Sequence, residues 1–148
     1  MTAHVDIRTG TATADTKPTR WQDRTGRVLM AITAAATLLP FAEGLSRLGS
    51  LPDDMVLTEF WRTCAYIVFA GMWALLAVAP RKQRGMWELL LFHKIVVTVQ
   101  AAFVLDIPHA TRTLIADGLV SLTTTAAYLL CRGWQSWRRG ALGPDDNR

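Results

Sequence analysis

"FWRTCAYIVFAGMWALLAVAP", residues 60–80, carries no charge after Arg62. A bilayer crossing takes roughly 20 mostly apolar residues in a row, and this stretch supplies them. A buried helix of a water-soluble domain would instead keep a charged outer face. Working outward, the apolar residues of the chain fall into four such blocks, at about 28–48, 60–79, 86–105 and 113–131. The last, "TLIADGLVSLTTTAAYLLC", has the single charge Asp117. The chain has 148 residues, 51% of them hydrophobic. Its mean hydropathy is only +0.20, so the grouping of apolar residues decides the class. The blocks predict an all-α integral membrane four-helix bundle.

The remaining sequence fits around these spans. Residues 1–26 are polar and Thr-rich, with no apolar run before Val28. They read as a disordered tail rather than a cleavable signal. Residues 27–132 then form the transmembrane domain and 133–148 a C-terminal tail. Lys and Arg concentrate in cytoplasmic flanks of membrane proteins. Here they gather at Lys17, Arg20, Arg24 and Arg27, at Arg81, Lys82 and Arg84, and at Arg132, Arg138 and Arg139. The connections "GSLPDDMVLTE" (49–59) and "DIPHAT" (106–111) hold none. The alternation predicts an up-down-up-down path in the cell membrane, with both termini cytoplasmic. It also explains the net charge of +4 without a nucleic-acid partner. Trp21, Trp61, Trp87, Trp134 and Trp137 lie at or just beyond block ends, where an indole favours the interface.

That path places the polar residues by depth and face. Positions 3, 4, 7 or 11 apart share one side of a helix. In the fourth span Thr113, Asp117, Ser121, Thr124 and Tyr128 form one polar stripe, opposite Leu119, Leu122 and Ala126. A carboxylate inside a span is costly and faces the protein interior, a partner or water. In the third span His93 shares a face with Gln100, while Lys94 points about 100° away. Lys94 therefore reads as a separate structural charge, paired with a carboxylate of the bundle or with a neighbouring chain. The second span aligns Arg62, Tyr66, Phe69 and Trp73, and the first ends near Glu43 and Arg47. These residues predict a polar pocket in the outer half, enclosing Glu43, Arg62, Gln100 and Asp117 with His93 at its floor. Tyr66, Phe69 and Trp73 would wall it, and Ser121 and Thr124 would add hydroxyls.

Several chemistries are excluded. Cys64 and Cys131 fall near opposite ends of their spans, roughly 20 Å or more apart. A disulfide needs Cα atoms within about 7 Å. No Cys/His cluster suggests zinc. Two-histidine haem ligation within one chain fails on depth, because the rise from position 93 to 106 alone is about 20 Å.

Three functional classes fit what remains. One is an accessory membrane subunit that binds a lipophilic, quinone-like molecule and serves a redox partner. The second is a membrane-embedded enzyme of isomerase or cyclase type, with Asp117 or Glu43 as acid and His93 as base. Such a division needs environments that push the pKa values of the two groups apart. The third is a small transporter working as a homo-oligomer. The end of the first span, "LLPFAEGLSRLGSLPD" (38–53), bears on the choice. With four spans in a short chain, it resembles the DoxX-like group of small membrane proteins. Phe41, Gly44, Leu45, Arg47 and Leu48 stand where that group carries a Phe-x-x-Gly-Leu-x-Lys/Arg-Leu type of sequence. The resemblance implies a four-helix membrane bundle linked to quinone-dependent or oxidative-stress redox systems. His93, Lys94 and the Asp117 stripe have no counterpart in that pattern.

Overall fold

A computed structural model describes residues 17–138, and those residues are helical throughout apart from short connections. The main helices are α1 (Arg20–Arg47), α2 (Asp53–Val78), α3 (Met86–Phe103) and α4 (Ala110–Cys131), followed by a short α5 (Gln135–Arg138). A 3₁₀ turn, Leu48–Ser50, closes α1. Four helices are long and apolar enough to cross a membrane.

α1, α2 and α4 begin earlier than hydropathy implies, while α3 begins at the expected Met86. α1 starts at Arg20 because Thr19 and Gln22 form a capping box. The Thr19 hydroxyl accepts from the Gln22 N–H at 3.3 Å, and the Thr19 N–H donates to Gln22 Oε1 at 3.0 Å. Residues 20–26, expected in the tail, are thus the first turns of α1. Residues 1–16 and 139–148 of the two expected tails lie outside the described residues. α2 starts at Asp53 after Pro52, with Asp53 and Asp54 in its first turn. Acidic side chains there suit the positive end of the helix dipole.

Two close approaches fix the neighbours of α1. A Cβ on Gly44 would lie 2.2 Å from Thr63 Oγ1, so this glycine lets α2 come near. A Cβ on Gly26 would lie 2.5 Å from Cys131 Sγ, which does the same for α4. α1 therefore packs between α2 and α4, and α3 packs on α4. The backbones of α2 and α3 stay farther apart. Long side chains span that gap.

The main apolar cluster combines Met30, Trp73, Leu76, Trp87, Leu90 and Cys131 with small neighbours. Trp87 is fully buried and donates its indole N–H to the Pro80 carbonyl at 2.7 Å. The surface is apolar as well. Leu57, Phe103 and Leu122 are 77%, 81% and 70% exposed, whereas Thr63, Lys94 and Thr124 are buried. A protein in water would not leave so much large aliphatic area uncovered, and hydrocarbon is the solvent that fits it.

Candidate functional site

The centre of the bundle is an ion pair. Lys94 Nζ lies 2.6 Å from Asp117 Oδ1, with side chains 10% and 17% exposed. Local register explains why Lys94 is inside. The buried residues of α3 are Trp87, Leu90, Lys94 and Ala101, at helical spacing along one stripe. Asp117 sits on the polar stripe of α4. Thr113, Asp117, Ser121 and Tyr128 are half-buried and Thr124 is buried, while Leu119, Leu122 and Ala126 are exposed. The stripe points inward as the spacing predicts.

Aromatic rings from α2 complete the surroundings. Lys94 Nζ lies 5.0 Å from the Phe69 ring centre and 5.7 Å from that of Trp73. Ring faces carry negative potential and attract the ammonium. The cation thus has a carboxylate and two aromatic faces around it. Several buried polar atoms lack a hydrogen-bond partner: Trp73 Nε1, Ser121 Oγ and Thr124 Oγ1 one and two turns along α4 from Asp117, and Thr63 Oγ1 farther along α2. Buried polar groups are normally paired. Here they leave one indole donor and two hydroxyls available beside a fixed charge pair.

The other expected site residues are distributed differently. His93 is exposed, and its ring packs on Phe69 with centres 4.6 Å apart. Gln100 is exposed as well. Neither looks into the bundle, because both lie about 100° off the stripe that carries Lys94. Glu43 and Arg62 belong to a separate network near the other end of α1. Arg47 lies 3.6 Å from Glu43 and 3.6 Å from Glu59, Arg112 lies 3.5 Å from Glu43, and Arg62 pairs with Glu59. That network ties α1, α2 and α4 together. The expected single enclosure of Glu43, Arg62, Gln100, Asp117 and His93 is therefore two ionic centres and two exposed side chains. Trp73 is buried and Tyr66 half-buried.

Lys94, expected as a structural charge paired with a carboxylate of the bundle, takes that place, and Glu59 is not among the expected site residues. Lys94 is the direct partner of Asp117, and Glu59 is the most buried carboxylate of the ionic network at 9% exposure. The signal for both was register: Trp87 and Leu90 lead to Lys94, and Glu59, Thr63, Ala70 and Trp73 share the buried side of α2. Cys64 and Cys131 are free thiols. Among the described residues no cluster of three or more His, Cys, Asp or Glu side chains is placed to hold a metal ion. Comparison with known proteins gives no match among family models, curated proteins or solved structures.

Proposed function

We propose that the chain crosses the bilayer four times, up-down-up-down with both termini cytoplasmic, and binds a lipophilic small molecule with a quinone-like head at the Lys94–Asp117 centre. In this reading it serves a membrane redox partner in the manner of the DoxX-like group. The observation that carries it is the Lys94–Asp117 pair between aromatic rings, with an unpartnered Trp73 indole and, one and two turns along α4 from Asp117, the unpartnered Ser121 and Thr124 hydroxyls. A charged pair inside a span marks a functional site by default. Carbonyl oxygens of a quinone-like head accept hydrogen bonds from an indole N–H, a hydroxyl or an ammonium. Its ring stacks on Phe69 and Trp73, and its tail leaves through the wide α2–α3 side into lipid.

A second reading is an acid/base enzyme on a lipophilic substrate. The Lys94–Asp117 contact at 2.6 Å favours it, with these two residues in place of Asp117 or Glu43 as acid and His93 as base.

Mass spectrometry of small molecules retained through mild detergent purification tests the first reading. Native protein should carry a prenyl-quinone-like compound in near-stoichiometric amount. The double variant Lys94→Met/Asp117→Asn should carry little. Native protein without such a compound, and without uptake of added quinone, would contradict it.

A further inference from the structure

A second site lies at the end of the bundle that holds the N-terminus of α1. An open groove of about 550 Å³ runs between α1 and the last turn of α2, with Arg20, Arg24 and Arg27 above Val28, Ala31 and Val78. The three arginines do different things. Arg27 donates to the Ala77 carbonyl at 2.7 Å and to the Val78 carbonyl, so it caps α2. Asp23 is held by Arg81 and also lies 3.6 Å from Arg27. The nearest carboxylate is therefore already engaged. Arg20 and Arg24 are exposed and form no ion pair among the described residues. They are one turn apart on the same face, where like charges repel.

The groove also has a defined depth. Ala77 and Val78 of its lining belong to the last turn of the α2 span. Two guanidiniums that form no ion pair among the described residues thus share one groove with aliphatic side chains of the α1 and α2 spans. Guanidinium pairs bind phosphate through parallel N–H donors. Basic pockets at the ends of membrane helices take anionic headgroups. We propose that this groove binds an anionic phospholipid, its phosphate held by Arg20 and Arg24 and one acyl chain lying along Val28, Ala31 and Val78. The inference is independent of the ligand at Lys94–Asp117.

The test is native mass spectrometry of purified protein titrated with phosphatidylglycerol or phosphatidylcholine. Native protein should retain the anionic lipid and discriminate against the zwitterionic one. Arg20→Gln/Arg24→Gln should bind phosphatidylglycerol at least tenfold more weakly, on the order expected for losing two interfacial cations. The control Lys82→Gln/Arg84→Gln removes the same charge from the same flank and should change binding less than threefold. Melting temperature in detergent checks that the variants fold. Equal loss in both double variants would reduce the effect to net charge and overturn a built site. Equal binding of the two lipids by native protein would overturn it too. Displacement of the lipid by glycerol phosphate at equal concentration would mark a free-phosphate site instead.

Discussion

Within one turn of α3, Leu90 and Lys94 are buried while Phe92, His93 and Ile95 are exposed. An ammonium therefore occupies a position that ordinary packing would give to leucine, and it can stay there only with Asp117 opposite. Removing one partner of a buried pair leaves an uncompensated charge and costs about 3–5 kcal/mol. Lys94→Met or Asp117→Asn alone should lower stability on that scale, measured by denaturant or thermal unfolding in detergent. The double variant should recover part of the loss, since it leaves no buried charge without a partner, only the new amide at position 117 to satisfy. His93→Ala should change stability by less than about 1 kcal/mol, because an exposed side chain with one ring contact carries little. Adjacent positions thus differ through register alone. Spacing separates His93 from Lys94, but it does not say which one faces inward. That depends on where Trp87 and Leu90 pack, which is a tertiary fact.

At the scale of elements, the spans were legible because crossing a bilayer is a local requirement of length and hydropathy. The inward stripe of α4 was legible for the same reason, since one helix carries both its polar and its apolar face. Helix starts were less so. Thr19–Gln22 capping extends α1 into polar sequence that hydropathy assigns to a tail. Neighbour relations were not legible at all. They depend on Gly26 against Cys131 and Gly44 against Thr63, contacts between residues far apart in the chain. Gly44→Ala should therefore destabilise the protein by about 1–3 kcal/mol through overpacking. Adding Thr63→Ala should restore part of that loss, because the hydroxyl that meets the new Cβ is gone. Unfolding curves of the single and double variants measure the coupling. Additive effects would mean that α1 and α2 do not meet there.

At the scale of the whole molecule, many large apolar side chains face outward while Lys94, Thr63 and Thr124 are buried beside an apolar core, so the bundle is arranged for lipid. Its ends are fastened by charge: Arg81 joins Asp23 and the Cys131 carbonyl at one, and Glu59 joins Arg47 and Arg62 at the other. Single cysteines at Ser50 and Arg84, in a background without Cys64 and Cys131, test the proposed path. A membrane-impermeant maleimide applied to intact cells should label position 50 and not position 84. In the proposed function the Lys94–Asp117 pair is a binding centre and not merely a structural bridge. Its most direct test is a titration of nanodisc-embedded protein with a short-chain quinone, read by tryptophan quenching. Native protein should show saturable quenching that Trp73→Phe diminishes and that Lys94→Met/Asp117→Asn abolishes while still folded. Identical saturable quenching in native protein and in the folded double variant would contradict the account.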